Sequence, residues 1–217
     1  MTLQLVIANK AYSSWSFRPW ILMRHFGIPF EETLIPMAQE TTHAEMLRHA
    51  PSGLCPSLRD GRIIVWESLA IIEYLAESFP ALAIWPRDKA ARAQARALAA
   101  EMHAGFGALR SQLPMNMRRK PAPLDLTPEV LANIARIEAA FAAARREFGA
   151  GGNFLYGEFS AADAMFAPIV SRFHTYEVAA RLETRAYMEA MQALPAFREW
   201  QAGAEAEPWH IARYDVV

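Results

Sequence analysis

The chain has 217 residues, 53% of them hydrophobic and 21% charged, which is the composition of a soluble globular protein with one large domain or two small ones, not of a disordered chain. A formal net charge of -1 gives no broad field to hold nucleic acid or an acidic membrane surface, although residues 117–120 (MRRK) form a local basic cluster. The single cysteine, Cys55, excludes an internal disulfide framework, a CxxC pair and a cysteine-built zinc site, and it fits a reducing compartment.

Residues 3–8 (LQLVIA) read as a buried strand, followed by a helix in SFRPWILMRHFG that Gly27 closes. A second strand follows in PFEETLIP, then a short helix over residues 42–49. The stretch CPSLRDGRIIVW offers two strands around Asp60-Gly61, a strong short hairpin signal. SLAIIEYLAESF opens with a serine cap at Ser68 and repeats apolar residues at Ile71, Ile72, Leu75 and Phe79. The order is that of a small mixed α/β unit over residues 1–79.

Residues 80–88 form a proline-punctuated connector, and the rest, 89–217, reads as all-helical. KAARAQARALAAEMHAGFGALRSQL is alanine-rich and is expected to be helical up to the prolines at 114, 121 and 123. Thr127-Pro128-Glu129 starts another helix, with Leu131, Ile134, Phe141 and Phe148 on one stripe. Ser160 and Asp163 stand at capping-box spacing before FSAADAMFAPIVSRF continues as a third, and RLETRAYMEAMQAL and PAFREWQAGAE supply the last two. No window approaches the ~20 apolar residues of a membrane span, and the N-terminus has no charged leader. A cytoplasmic protein with neither membrane nor nucleic acid as partner is expected.

Chemistry concentrates in residues 9–20, NKAYSSWSFRPW, where three serines surround a tryptophan at a strand-to-helix junction. Pro19 lacks an N–H and clashes with the carbonyl four residues back, so it fits best in a first turn, which places the helix cap near Ser16. Ser13 then falls on the loop off the strand end, free to face a ligand, with Ser14 in reserve if the helix starts earlier. No His/Asp partner pattern lies near either serine to argue for a nucleophilic triad.

Four segments in this order carry a family resemblance over essentially the full length: YSSWSFRP, PSGLCPSL, WESLAIIEYL and SAADAMFAP. They resemble the serine-type cytosolic glutathione transferases, zeta- and theta-like in their start. The resemblance implies a thioredoxin-like α/β domain followed by an all-α domain, glutathione as co-substrate, a homodimer, and no metal. It also implies a cis bond before Pro56, with the backbone of Cys55 presented to the tripeptide's main chain. Ser68, at a helix N-terminus that favours a carboxylate, would take the γ-glutamyl carboxylate, while Glu67 faces the amine. The serine five residues before Arg18, Ser13, is the one that would donate to the glutathione sulfur.

The acceptor pocket is implied between the first domain, the helix near His103 to Arg110, and the C-terminal tail, with Trp15, Met102, Phe106, Arg110 and Trp209 as wall candidates. Trp15 replaces the cysteine of zeta-like starts, and Cys55 replaces the usual valine. His103 and His174 have no partners at metal spacing and read as ordinary helix residues. The leading function is transfer of glutathione to a small apolar electrophile, in detoxification. The alternatives are a glutathione-dependent cis-trans isomerase of the maleylacetoacetate isomerase kind, for which Arg18, Arg110, Arg118 and Arg172 are candidate acid binders, and a non-catalytic glutathione-binding module. A cysteine-type thiol transferase would need a cysteine where this sequence has serine.

Overall fold

The computed structural model describes residues 2–215. Its first part runs β1 (Leu3–Ile7), α1 (Ser14–His25), β2 (Phe30–Leu34), α2 (Thr42–His49), β3 (Ser57–Asp60), β4 (Ile63–Trp66) and α3 (Ser68–Ser78). The strands form one sheet in the order β2-β1-β3-β4. β1 and β2 pair in parallel, and this pairing requires the crossover that α1 provides. β3 joins β1 antiparallel and is linked to β4 through the tight Asp60-Gly61 turn, where Gly61 takes φ +56°.

Because side chains alternate along a strand, β1 serves two packing faces. Leu3, Leu5 and Ile7 enter the main core, whereas Val6 and Ala8 meet Ile35 and Met46 on the side covered by α2. Its apolar run is therefore a strand buried on both sides.

The second part contains α4 (Lys89–Ala104), α5 (Gly107–Gln112), α6 (Pro128–Phe148), α7 (Ala161–Thr175), α8 (Leu182–Ala193), α9 (Pro195–Ala206) and a short α10 (Ala212–Asp215). α7 is buried along almost its whole length and packs on α1, α4 and α8. α1 in turn lies against α3, α7 and α9, so one helix of the α/β part is the seam with the helical part. Phe17 stacks on Trp200 with ring centroids 4.9 Å apart, and the Trp200 indole donates to the Lys10 carbonyl at 2.9 Å.

Several sequence expectations are corrected. α1 begins at Ser14, its N-cap is Ser13 and not Ser16, and Pro19 lies inside the helix. The proline removes one backbone hydrogen bond, a cost of about 3 kcal/mol in an exposed helix. Here Phe17, Trp20, Ile21, Leu22 and Met23 are all fully buried, and that packing outweighs the local penalty. At α3 the N-cap position is Glu67, and Ser68 is the first helical residue.

The alanine-rich segment is two helices, broken at Gly105 and Phe106, where Phe106 has φ +59°. A Cβ on Gly105 would meet the Glu101 carbonyl at 2.7 Å, so the break depends on glycine. On α6 the inward stripe is Val130, Ile134, Ile137, Phe141 and Ala144, and Leu131 points to solvent. The capping box at Ser160 and Asp163 forms as expected.

Candidate functional site

A cleft of about 290 Å³ opens where the α1 N-terminus, the turn before β3 and the α3 N-terminus meet, and it is lined by Trp15, Ser52, Leu54, Cys55, Pro56 and Glu67. The Cys55–Pro56 peptide is cis, as the resemblance implies. Burial pushes the Cys55 thiol up to about 12, so the cysteine is protonated at neutral pH and is no nucleophile.

Glu67 lines the α3 side of the cleft, and Ser68 follows it as the first helical residue. Glu67 holds φ +71°, a region L residues enter at a cost of about 1–3 kcal/mol and typically at functional positions. Its carboxylate is half exposed and lies 3.6 Å from the His103 Nε2 of α4. Ser68 is completely buried, yet its Oγ has no hydrogen-bond partner among the described residues. A buried hydroxyl without a partner at a helix N-terminus, beside free backbone N–H groups, is what an anionic ligand would complete.

On the α1 side, Ser13 and Ser14 are both nearly buried at 7% exposure. Ser13 Oγ accepts from the Ser16 backbone N–H at 3.3 Å, and its oxygen lies 2.9 Å from Ser16 Oγ. Ser16 Oγ accepts from the Ala8 N–H at 3.0 Å, tying the helix start to the end of β1. The loop that leads into Ser13 is clamped from the C-terminal segment, where the Glu207 carboxylate accepts from Asn9 Nδ2 and from the N–H groups of Lys10 and Ala11.

Behind the cleft wall the chain concentrates positive charge. Arg18 is fully buried and stacks on Trp15, its guanidinium carbon 4.1 Å from the ring centroid, and none of its three side-chain nitrogens has a partner among the described residues. Arg110 lies over the same ring at 5.2 Å, and His103 meets it edge-on at 5.2 Å. Burial holds Arg18 well below the ordinary arginine value, with Arg172 and Arg110 adding repulsion and Glu67 opposing it. Burial also lowers His103, helped by Arg18 and Arg110 and opposed by Glu67.

Of the residues singled out in the sequence, Trp15, Cys55, Pro56 and Glu67 share the cleft, Ser68 opens the helix beneath it, and Arg110 joins it through Trp15. Met102 is fully buried in the core, and Phe106 is nearly so. Trp209 sits on the C-terminal segment, where its carbonyl accepts from Arg118. In the sequence His103 reads as an ordinary helix residue. Its contacts with Glu67 and Trp15 join residues 36 and 88 positions apart, which no local pattern shows.

The family profile described as "Glutathione S-transferase, N-terminal domain" matches residues 12–78, and "Glutathione S-transferase, C-terminal domain" matches residues 127–201. The chain belongs to the glutathione S-transferase family. A probable maleylacetoacetate isomerase from Vibrio cholerae is 35% identical over 105 residues, 47% of this chain and 49% of the relative. Glutathione S-transferase GstB of Escherichia coli is 27% identical over 153 residues, 69% of this chain and 74% of the relative. The matches cover 49%, 23% and 50% of the length of the first three curated relatives. A solved glutathione transferase homolog from Burkholderia GL BGR1, with bound glutathione, superposes with a TM-score of 0.70 at 21% identity, covering 95% of this chain and 100% of that one. At that identity it establishes a shared fold: a four-stranded α/β glutathione S-transferase domain followed by a helical one.

Proposed function

We propose that this chain is a glutathione transferase that binds glutathione in the Trp15–Glu67 cleft and stabilises its thiolate with a serine hydroxyl at the start of α1. The observation that carries the reading is the unpartnered, fully buried Ser68 Oγ beside Glu67 at the α3 N-terminus. A hydroxyl and free N–H groups suit a carboxylate, a nearby carboxylate suits an amine, and the γ-glutamyl group carries both charges side by side. Cys55 and Pro56 line the same cleft, where a backbone edge would pair with an extended peptide.

The chemistry demanded of the protein is modest. A thiol near pKa ~8.5 is only a few per cent ionised at pH 7, and lowering it by about two units takes roughly 2.7 kcal/mol. A hydrogen bond to a charged acceptor contributes about 1.5–3 kcal/mol and the α1 N-terminus about 0.3–1 more. One hydroxyl donor and one helix end suffice. The thiolate then attacks an electrophilic carbon, a C–S bond forms, and the leaving group departs with the electron pair of the broken bond.

Ser13 is the proposed donor, with Ser14, the first helical residue, as the second candidate. Titration of the ultraviolet thiolate absorbance of bound glutathione tests this. A depressed pKa in the wild type that returns toward the free value in Ser13→Ala is expected. An unperturbed wild-type pKa sinks the reading.

A second reading, a glutathione-dependent cis-trans isomerase of an unsaturated dicarboxylic acid, is favoured by the buried and unpartnered Arg18 close to Arg110 and Arg172. A carboxylate acceptor would neutralise that cluster. The thiolate would add to one alkene carbon, the resulting single bond would rotate, and expulsion of the same thiolate would restore the double bond. Turnover of an unsaturated dicarboxylate exceeding that of a halogenated aromatic decides for it.

The proposal places the glutathione-binding part at residues 1–79, a linker at 80–88 and the acceptor part at 89–217, supported by the gap between the end of α3 at Ser78 and the start of α4 at Lys89. It includes a cytoplasmic homodimer without nucleic acid or membrane partners; no helix among the described residues is long and apolar enough to cross a membrane.

A further inference from the structure

We infer that Ser16 is a positioning residue that turns the Ser13 hydroxyl hydrogen outward, toward the sulfur of a bound thiol. The inference rests on the glutathione reading above and adds a residue that the sequence assigns only to capping.

Ser16 is fully buried, and its Oγ has two neighbours within hydrogen-bond distance, the Ala8 N–H at 3.0 Å and Ser13 Oγ at 2.9 Å. The Ala8 N–H can only donate, so it occupies a lone pair of Ser16. Each serine hydroxyl owns one hydrogen and two lone pairs, and either could donate across the 2.9 Å separation.

If Ser13 donates, the Ser16 hydrogen is left buried with no acceptor among the described residues, a state disfavoured more strongly than one hydrogen bond is favoured. If Ser16 donates, all of its hydrogen-bonding capacity within reach is used. Ser13 Oγ then accepts twice, from the Ser16 hydroxyl and from the Ser16 backbone N–H at 3.3 Å. Its own hydrogen then has no acceptor among the described residues and is left for a ligand.

The result is a directed chain: Ala8 N–H to Ser16 Oγ, Ser16 O–H to Ser13 Oγ, and Ser13 O–H to the ligand. Consecutive hydrogen bonds of one sense polarise one another, so a hydroxyl that accepts twice is a stronger donor than an isolated one. β1 anchors the chain at one end, and at the other Ser13 stands two residues before Trp15, which lines the cleft. The N-cap therefore serves the helix and the ligand with the same oxygen, which explains why its partner at the third helical position is a serine and not the Glu or Gln of a capping box.

The experiment measures the pKa of bound glutathione by thiolate absorbance in the full-length wild type, Ser13→Ala, Ser16→Ala and Ser16→Thr, together with the affinity for S-methylglutathione, which has no ionisable thiol. Ser16→Ala is expected to raise the bound-thiol pKa by about one unit, roughly a tenfold loss of thiolate at neutral pH. S-methylglutathione affinity should be unchanged, and Ser16→Thr, which keeps the hydroxyl, should return the pKa to the wild-type value. A merely structural role for Ser16 would weaken both ligands alike.

A wild-type pKa in Ser16→Ala alongside a raised pKa in Ser13→Ala overturns the relay and leaves the function standing. An unperturbed pKa in the wild type overturns the function itself. If Ser16→Ala does not fold, Ser16→Cys keeps the volume with a weaker donor, and a pKa between those of wild type and Ser13→Ala supports the relay while a wild-type pKa overturns it.

Discussion

The starts of α3 and α7 both place a buried serine at or beside a helix N-terminus, and they differ in what remains to be bonded. At α7, Asp163 accepts from the N–H groups of Leu155 and Ser160 and from the Ser160 hydroxyl, at 3.1, 2.9 and 3.0 Å. That corner closes on itself. At α3, Glu67 sits at φ +71°, no side chain caps the helix, and Ser68 Oγ is buried without a partner. Both corners have comparable local sequence signals, a hydroxyl and a carboxylate near an apolar helix. The satisfied corner belongs to the fold, and the unsatisfied one is open to a ligand.

The largest effect that tests this contrast is on stability. Asp163→Ala strands three donors at once, and losing them is expected to destabilise the protein by about 2–4 kcal/mol, read as a fall in urea midpoint. In whatever fraction folds, glutathione affinity should match wild type. Burial also raises Asp163 from 3.8 to about 6, so the folded state binds this proton more tightly than the unfolded chain. The carboxyl then makes the protein less stable as pH rises from about 4 to about 6. Relative to Asp163→Asn, which cannot titrate, wild-type stability should decline over that window. A flat difference would mean that hydrogen bonds to the carboxylate cancel its burial, and a rise that they outweigh it.

Ser68→Ala should behave in the opposite way, at a smaller scale. The Oγ it removes has no hydrogen-bond partner among the described residues, so the stability read from urea unfolding should stay within about 0.5 kcal/mol of wild type. Glutathione affinity should fall about tenfold or more, the loss of one hydrogen bond to a charged group. Calorimetric titration measures the second quantity. A destabilised Ser68→Ala with full affinity would erase the contrast between the two corners.

What the sequence shows of these corners follows from how far apart the partners lie. Asp60-Gly61 and the Ser160/Asp163 pair are local signals, and both form as expected. The start of α1 was misplaced because a local rule about Pro19 meets burial contributed by Trp200, Phe197 and α7, residues far along the chain. Trp15 and Arg18 stand three residues apart, a spacing that predicts contact only once the helix is known to start at Ser14. The convergence of Arg18, Arg110 and Arg172 comes from α1, α5 and α7, and only the tertiary fold brings it about. The order of elements was therefore legible, while the polar groups left without partners were not. Satisfaction is a property of the packed chain.

The smallest expected effect concerns a residue that lines the cleft and yet contributes little chemistry. Cys55 faces the ligand space beside Pro56, where a thiol would ordinarily be suspected of reactivity. Burial pushes its pKa up to about 12, which leaves on the order of one thiolate in 10⁵ molecules at pH 7, and the neutral thiol behaves as a small apolar side chain. Main-chain groups of this segment would do the binding, and they are unchanged when the side chain is shortened. Cys55→Ala is therefore expected to keep kcat/KM for glutathione within about twofold, and wild-type activity should survive brief treatment with a thiol-alkylating reagent at neutral pH. A loss of tenfold or more in Cys55→Ala would show that the cleft uses a thiol of its own, and the case for a hydroxyl acting on the ligand's sulfur would fail with it.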